Sequence, residues 1–449
     1  MSQKIFGTDG VRGIAGQAPL TPAFIRRLGA SAARIYKIHT RTDHPVFVMG
    51  RDTRASGTWI AKAFAEGAGS EGARLIDLGV VSTPAIACLV PRMKASGGVM
   101  ISASHNPAEF NGIKLFGSRG RKCPDTWEIQ MEADIEKHAE VPQRKAQVRK
   151  NSKALAKYLK FLLDTLPPRF SLKGLSLVID CSNGALSKIA PAFLRRLGAT
   201  VMSVGSSPNG RNINAGVGSQ HPEKMQALVR RKKAFGGLAF DGDADRIVLC
   251  DEEGRLLDGD YVLACVAHIL KTEKHLRGNT VVTTVMANMG LLKALQAWGI
   301  DVETTPVGDR FVSECLELKK GMIGGEQSGH IIFHDHLPTG DGLLTGLQIL
   351  AMLRRQQRPL SWIYSLMKKY PQVLLNVHVK EKKPLDHCLD LKQAILDAEK
   401  VLFDRGRVVV RYSGTEPLLR IMMEGPSADE LQALAEGIAA KARAILGAA

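Results

Sequence analysis

The sequence is poor in aromatic residues and lacks any long apolar run. Phe, Tyr and Trp make up 5% of its 449 residues, which argues against a nucleic-acid surface that works by base stacking. No uninterrupted apolar stretch reaches the roughly 18 residues that a membrane-spanning helix needs. Residues 1–5 also lack the apolar core of a signal peptide. We therefore predict a cytoplasmic protein that binds neither membranes nor nucleic acid.

The cysteines form no pattern that indicates disulfides or a metal site. There are seven, an odd number, and none is spaced as in a CxxC motif. A disulfide framework and a zinc site are therefore both disfavoured, and a reducing compartment fits best. The cysteines are Cys88, Cys123, Cys181, Cys250, Cys265, Cys315 and Cys388.

Glycine and positive charge, by contrast, are abundant. The 44 glycines are spread along the chain, which is typical of the many strand-to-helix turns of α/β proteins. The net charge of +17 attracts anions, and both nucleic acid and phosphorylated metabolites are candidates. The densest basic run, 230–233, is interpreted as a helix terminus rather than a binding patch. No recognisable nucleic-acid module lies beside it.

A strand–helix–strand pattern recurs three times along the chain. The strand pairs are predicted at 44–50 with 72–78, 175–180 with 200–204, and 280–285 with 301–305. The last part differs, with strands near 373–379, 407–411 and 418–424 and a helix from about 428. We therefore predict three consecutive similar α/β domains and a smaller C-terminal α+β domain. Their expected bounds are 1–153, 154–255, 256–369 and 370–449.

The segment 101–107, ISASHNP, reads as an active-site loop. It follows a short apolar strand at 97–101 and is closed by proline. Ser102, Ser104 and His105 suit covalent catalysis or phosphate binding, and Lys114 comes within reach if the chain reverses at Asn111-Gly112. The alternative is a polar turn whose side chains only cap their own backbone.

The segment 241–246, DGDADR, indicates a cation site. Asp241, Asp243 and Asp245 alternate with small residues between apolar strands, and three carboxylates so close together repel one another without a cation. Hard oxygen ligands favour Mg²⁺, with Ca²⁺ possible. An EF-hand is disfavoured because Arg246 stands where that loop needs glycine, and because apolar strands flank the segment where an EF-hand has helices. A solvated acidic turn is the alternative.

Three further polar segments are candidate binding loops. Residues 324–330 offer Glu326, Ser328 and His330, which suit recognition of sugar hydroxyls. Residues 6–13 offer Arg12 as a possible anion contact. The segment 411–417 combines an arginine, hydroxyls and glycine-exposed amides, as in a phosphate nest. Its binding candidates are Arg411, Ser413, Gly414 and Thr415. Ordinary turns are the alternative interpretation of all three.

Taken together and in this order, the loops resemble those of the α-D-phosphohexomutase superfamily. The resemblance covers nearly the whole chain and implies four domains around a central cleft. It implies that Ser104 carries a phosphoryl group and that Asp241, Asp243 and Asp245 hold one Mg²⁺ ion together with a phosphoserine oxygen. It also implies a hexose bisphosphate as intermediate and activator.

The resemblance extends to the substrate and to the residues that hold it. Segments 6–13, 325–330 and 411–417 imply interconversion of glucosamine 6-phosphate and glucosamine 1-phosphate; mannose and glucose phosphates are the alternative substrates. Arg411, Ser413, Gly414 and Thr415 would hold the distant phosphate, and Glu326 and Ser328 the hydroxyls. Arg12, Arg246 and Lys114 would neutralise charge during transfer.

Several alternatives stay open. Lys114 and His330 are both candidates for the general acid or base. Hydrolysis of the phosphoserine would make the protein a phosphatase, and the positive charge leaves nucleic-acid binding as a different class of function. The sequence does not decide whether the protein forms a homo-oligomer.

Overall fold

The computed structural model describes residues 5–7, 9–138, 141, 146–413 and 417–447. It contains four sheets, each formed by a consecutive part of the chain. This arrangement agrees with the predicted fold class of three similar α/β units and a smaller C-terminal unit. None of the described helices has the length and apolar character needed to span a membrane.

The first unit is built on a six-stranded mixed sheet. Its strands are β1 (Val11–Ile14), β2 (Val46–Arg51), β3 (Arg74–Val80), β4 (Gly97–Ile101), β5 (Phe110–Gly117) and β6 (Gln147–Lys150), in the spatial order β1-β5-β4-β2-β3-β6. Its helices are α1 (Pro22–Thr40), α2 (Gly57–Ser70), α3 (Thr83–Arg92) and α4 (Asp125–Lys137). Helix α1 begins as the sequence favours, because Thr21 caps it and proline occupies its first position.

The second unit follows helix α5 (Ala154–Asp164). Its five strands are β7 (Ser176–Asp180), β8 (Thr200–Val204), β9 (Gly236–Phe240), β10 (Ile247–Cys250) and β11 (Leu256–Leu257), in the order β11-β10-β9-β7-β8. Helices α6 (Ile189–Arg196) and α7 (Glu223–Lys232) connect them. The basic run 230–233 lies at the end of α7, as the sequence interpretation expected.

The third unit contains a four-stranded sheet. Its strands are β12 (Thr280–Thr284), β13 (Asp301–Thr305), β14 (Ile323–Gly325) and β15 (Ile331–Phe333), in the order β13-β12-β14-β15. Its helices are α8 (Gly259–Thr272), α9 (Met289–Ala297), α10 (Asp309–Lys319), α11 (Gly342–Gln356) and α12 (Ser361–Ser365). A large buried apolar cluster continues from α3 through the second and third units.

The last unit has its own small core. Strands β16 (Gln372–His378), β17 (Arg407–Tyr412) and β18 (Leu418–Glu424) form an antiparallel sheet in the order β16-β18-β17. Helices α13 (Leu389–Leu402) and α14 (Ala428–Leu446) cover one apolar cluster with it. Short 3₁₀ turns occur at Arg277–Asn279, Leu385–His387 and Phe403–Arg405.

The first three sheets share one design. In each, a central strand pairs in parallel with two neighbours, and one of those neighbours returns as an antiparallel hairpin. The hairpins are β4–β5, β9–β10 and β14–β15. The three polar segments at 102–109, 241–246 and 326–330 are the loops of these hairpins. They therefore leave each sheet at the carboxyl end of an equivalent parallel strand, where open α/β sheets bind ligands.

Candidate active site

Ser104 lies in the first of these loops and reaches the second. It is 1% exposed, and its hydroxyl donates to Asp241 Oδ2 at 2.5 Å. The two loops are so close that a Cβ on Gly242 would lie 2.5 Å from the carbonyl oxygen of Ser104. Only glycine fits there, so the hydroxyl of one unit and the carboxylates of the next form one site.

The three aspartates of the second loop are arranged as a cation site requires. One oxygen of each lies within 4.8 Å of the others, and all three side chains are buried. Asp243 Oδ1 and Asp245 Oδ1 have no hydrogen-bond partner among the described residues. Burial, and then the charges of Asp245 and Asp243, raise the pKa of Asp241 well above its usual value. Buried, unpartnered carboxylate oxygens that repel one another fit a divalent cation.

Lys114 projects from β5 into the same cluster. Its Nζ lies 2.8 Å from Asp243 Oδ2, 3.3 Å from Asp245 Oδ2 and 2.9 Å from Asp9 Oδ2. Burial lowers the pKa of Lys114, but the three carboxylates outweigh that effect and raise the pKa well above its usual value. The ammonium group therefore stays charged and balances part of the negative charge.

The reversal that brings Lys114 here is not the one predicted from the sequence. Asn111 and Gly112 lie inside strand β5, paired with Gly13 and Arg12 of β1, and the chain turns before Phe110. The Asn-Gly pair looked like a turn, but Asn111 instead donates from its buried amide to Ser56 Oγ at 2.9 Å. Strand pairing on both sides of β5 overrides the local turn preference.

Asp9 is a functional candidate that the sequence interpretation missed. It accepts hydrogen bonds from Arg12 and from Lys122 Nζ, the latter at 2.6 Å. Lys122 also reaches Asp309 Oδ1 of the third unit at 2.7 Å. A polar residue between glycines in 7–10 was a visible signal, but its partner Lys122 lies in a segment without a recognisable motif.

His105 contacts the Ser104 hydroxyl, and the charges of Arg12 and Arg246 act on His105. His105 Nδ1 lies 3.3 Å from Ser104 Oγ. Burial, and then the like charges of Arg246 and Arg12, lower the pKa of His105 to about 4, so this ring is neutral. Arg12 Nε and Arg246 Nε are buried and lack hydrogen-bond partners among the described residues, and the nearest carboxylate oxygen to Arg246 Nε in an ion pair is Asp245 Oδ1 at 3.9 Å. Unsatisfied guanidinium donors beside a hydroxyl suit an anionic group on that oxygen.

His330 is packed between Asp245 and the backbone at Gly340. It is 2% exposed, and its Nε2 accepts the Gly340 N–H at 2.9 Å. This contact assigns the proton to Nδ1, which points to Asp245 Oδ2 at 3.9 Å. Both ring nitrogens therefore face protein groups, and the ring is fitted to hold Asp245 in place.

The third loop meets the second directly. The Ile247 N–H donates to the Gly329 carbonyl at 3.0 Å, and Gly329 has a φ of +89° with no room for a Cβ. Beside it, Glu326 Oε1 accepts the Gly308 N–H at 3.1 Å, and Ser328 Oγ lies 3.4 Å from Glu326 Oε2. The carboxylate and hydroxyl are thus held next to the cation cluster.

The fourth loop begins at the end of β17. Ser413 is 3% exposed; its carbonyl accepts from Lys382 Nζ at 2.6 Å, and its N–H donates to Leu418 O at 2.8 Å. Burial, and then the like charge of Arg420, lower the pKa of Arg411, whereas the charge of Glu326 acts to raise it. The negative charge of the third loop therefore acts on Arg411. Gly414 and Thr415, also predicted here, lie outside the described residues.

A buried ion pair supports the loop that carries Ser104 (the serine loop, residues 102–109). Arg54 donates to Asp52 Oδ2 at 2.9 Å, and both side chains are 0% exposed. Its other nitrogens donate to the carbonyls of Ser104 (3.0 Å), Asn106 (2.8 Å), Phe110 (2.9 Å) and Pro107. From the second unit, Asn214 Nδ2 donates to the Ser104 and Asn106 carbonyls, each at 2.9 Å.

These supporting residues were missed by the sequence interpretation. The segment 51–54, RDTR, follows a predicted strand at its carboxyl end, which was an available signal. Nothing local pointed to Asn214, because its partners lie 108 and 110 residues away.

Comparison with known families agrees with this fold. The four models of phosphoglucomutase/phosphomannomutase domains match in order: α/β/α domain I at residues 3–142, domain II at 156–254, domain III at 258–370 and the C-terminal domain at 374–441. The chain belongs to the phosphoglucomutase/phosphomannomutase family. The resemblance found in the sequence is thereby confirmed.

Within this family the chain is similar to bacterial phosphoglucosamine mutases. It is 44% identical to that of Magnetococcus marinus over 442 residues, covering 97% of this chain and 91% of the relative. It is 45% identical to that of Brevibacillus brevis over 440 residues, covering 97% and 98%. These full-length similarities agree with the narrower resemblance found in the loops.

Solved structures show the same fold. A phosphoglucomutase/phosphomannomutase family protein from Burkholderia thailandensis has a TM-score of 0.80 at 21% identity and covers 99% of this chain and 98% of its own. N-acetylphosphoglucosamine mutase of Aspergillus fumigatus, solved with GlcNAc-6P and magnesium, has a TM-score of 0.65 at 18% identity, covering 98% and 95%.

Proposed function

We propose that this protein interconverts glucosamine 6-phosphate and glucosamine 1-phosphate, with Ser104 as the carrier of the transferred phosphoryl group. The observation that carries the proposal is the contact of Ser104 Oγ with Asp241 at 2.5 Å, at the edge of a buried three-aspartate cluster. A hydroxyl beside a cation site and two arginines with free donors suits phosphoryl transfer. The named relatives support glucosamine phosphates as the substrates.

The reaction divides into two transfers. First, the bond between phosphorus and Ser104 Oγ breaks while a bond forms from phosphorus to the free sugar oxygen, whose proton passes to a base. This step gives a sugar bisphosphate. After the bisphosphate turns end for end, its other phosphoryl group returns to Ser104 and the sugar oxygen regains a proton. Arg12, Arg246 and Lys114 balance the negative charge in both steps.

Of the two candidates for proton transfer, the geometry favours Lys114. His330 Nε2 is engaged by a backbone N–H, and its other nitrogen points to Asp245. Lys114 carries several N–H donors and faces the side of the cluster that holds Asp9 and Asp243. We therefore assign to Lys114, whose ammonium group is charged, the donation of a proton to the sugar oxygen in the second transfer, and to His330 the positioning of Asp245.

The cation that fits the aspartates best is Mg²⁺. The donors are carboxylate oxygens alone, without thiolate or imidazole, which suits a hard divalent ion. Asp241, Asp243 and Asp245 would hold it together with an oxygen of phosphorylated Ser104. When bound, it would neutralise charge on the phosphoryl group.

The third and fourth loops would hold the sugar in both orientations. Glu326 would accept hydrogen bonds from the sugar hydroxyls that the two orientations share, and Ser328 would donate a hydrogen bond to one of them. Arg411 and Ser413, with Gly414 and Thr415, would hold whichever phosphate is distant from Ser104. Such a holder is needed because the reaction requires the same site to accept a 1-phosphate and a 6-phosphate.

A coupled assay tests the proposal. With Mg²⁺ and a hexose bisphosphate activator, kcat/KM should be larger for glucosamine phosphates than for mannose or glucose phosphates. A larger value for mannose or glucose phosphate would contradict the substrate assignment. Release of inorganic phosphate in step with substrate loss would instead identify a phosphatase.

A further inference from the structure

Thr83 reaches from the first unit into the cation cluster of the second. It occupies the first position of helix α3, where Ser82 is the cap, and it is 1% exposed. Its N–H donates to the Asp243 carbonyl at 2.9 Å, and its hydroxyl donates to Asp243 Oδ2 at 2.5 Å. One residue thus holds both the backbone and the side chain of Asp243.

These contacts separate the two oxygens of the Asp243 carboxylate. Oδ2 accepts from the Thr83 hydroxyl and from Lys114 Nζ at 2.8 Å. Oδ1 is buried and has no partner among the described residues. A carboxylate held at one oxygen cannot rotate freely, so its other oxygen keeps one direction.

We propose that Thr83 is a positioning residue for the cation site, and that its hydroxyl directs Asp243 Oδ1 towards the ion. The inference rests on the proposed function, because the cation belongs to that function. Thr83 acts through Asp243, to which both its hydroxyl and its N–H donate.

The placement of Thr83 also links cation binding to the contact between two units. Helix α3 follows β3 of the first sheet, whereas Asp243 lies in the β9–β10 loop of the second. The N–H of the first helical position has no partner within a helix. The hydrogen bond from the Thr83 N–H to the Asp243 carbonyl therefore joins the two units without replacing a bond inside α3. Proper docking of α3 is therefore a condition for an ordered cation site.

Binding of Mn²⁺ by the intact protein, followed by titration with electron paramagnetic resonance detection, tests the inference without relying on turnover. Thr83→Val keeps the branched shape and removes the hydroxyl; its Mn²⁺ dissociation constant should rise about 10- to 100-fold. Thr83→Ser, which keeps a hydroxyl, should restore binding to within about threefold of the wild type.

Thr345→Val is the matched control. Thr345 is equally buried, and its hydroxyl lacks a partner among the described residues, so its loss should leave Mn²⁺ binding unchanged. Wild-type affinity in Thr83→Val would overturn the inference while leaving the proposed function intact. Equal weakening in Thr83→Val and Thr345→Val, with equal loss of Tm, would show a purely structural role and overturn it too. Absence of Mn²⁺ binding in the wild type would contradict the cation assignment itself.

Discussion

Ser104 adopts a backbone conformation that few residues other than glycine adopt. Its φ is +52°, in the left-handed region, which costs free energy unless the surroundings enforce it. Arg54 and Asn214 supply that enforcement through hydrogen bonds to the carbonyls of Ser104 and Asn106. The backbone position from which the Ser104 hydroxyl reaches Asp241 is therefore set by residues that do not contact the hydroxyl.

Replacing Arg54 by lysine tests whether the position of Ser104 depends on Arg54. Lysine keeps a positive charge for Asp52 but cannot span the carbonyls that Arg54 binds. Because small misplacements of a reacting group reduce rates strongly, we expect kcat to fall about 100-fold. Arg51→Lys is the control, since the guanidinium group of Arg51 pairs with Asp77 at 2.9 Å rather than with the carbonyls of the serine loop. Wild-type kcat in Arg54→Lys would refute this role.

Asp260 links the third loop (residues 326–330) to the start of α9. Its Oδ2 accepts from the Asn288 N–H at 2.8 Å and from Gln327 Nε2 at 3.1 Å. Burial, and then the charge of Asp258, raise the pKa of Asp260 to about 8. The folded protein thus keeps a proton that the unfolded chain has already lost.

This difference predicts a pH dependence of stability. The contribution of Asp260 is fully present below its unfolded pKa near 4 and is lost as pH rises through about 8. Tm of the wild type should therefore fall more between about pH 6 and pH 9 than Tm of Asp260→Asn. Asp164→Asn, which alters an exposed carboxylate, should follow the wild type. Parallel curves for wild type and Asp260→Asn would contradict the assigned pKa.

The residues that the sequence could indicate share a local signal. Ser104 and the three aspartates stand in short polar runs directly after apolar strands, a pattern visible in one stretch of chain. The partners of Arg54, Thr83 and Asn214 lie in distant segments. A single sequence does not indicate which distant segments contact one another. Their roles could be recognised only once the fold brought them together.

At the scale of elements, the repeated hairpin explains why the functional loops meet. The loops after β4, β9 and β14 occupy equivalent positions in three sheets of one design. The strand–helix–strand repeat was predictable, because apolar runs alternate with helical patterns. The equivalence of the hairpins was not, because it depends on the order of strands in space.

The last unit shows where local pattern failed. Its three strands were predicted close to their observed bounds, but no helix was predicted between the first two strands, where α13 (Leu389–Leu402) lies. Many of its residues are exposed and charged, so its narrow apolar face, which includes Leu391 and Leu402, is a weak signal.

Asn288 joins the third and fourth units. It caps α9 through Gly290 N–H at 2.9 Å, and its Nδ2 donates to Glu424 Oε1 at 2.9 Å and to Tyr370 O at 3.1 Å. Glu424 is fully buried and also accepts from Arg407 Nε at 2.7 Å. The position of the fourth unit relative to the third therefore depends on this joint.

Asn288→Ala should loosen the joint. Loss of a cap and of hydrogen bonds to a buried carboxylate should lower the free energy of unfolding by about 2 kcal/mol. It should also raise KM, because the phosphate holder is no longer fixed relative to Glu326. Ser427→Ala removes only the cap of α14 and should spare KM. An unchanged KM in Asn288→Ala would contradict the coupling.

At the scale of the whole molecule, the proposed site combines side chains from all four units. In the proposal the first unit contributes Ser104, Lys114 and Arg12, the second the three aspartates, the third Glu326 with Ser328, and the fourth Arg411 with Ser413. The half-buried pair of Lys122 Nζ with Asp309 Oδ1, 2.7 Å apart, joins the first and third units. The division into four units was predictable; its boundaries at 153, 255 and 369 remain a prediction, and the second sheet continues to Leu257.

The most direct test of the account follows a labelled phosphoryl group through one turnover. Protein carrying ³²P on Ser104 is mixed with unlabelled glucosamine 6-phosphate and Mg²⁺, and the products are separated over time. Label should leave Ser104, pass through a bisphosphate and enter both glucosamine monophosphates, while Ser104→Ala takes up no label. Label that stays on the protein, leaves only as inorganic phosphate, or is carried equally by Ser104→Ala would contradict the account.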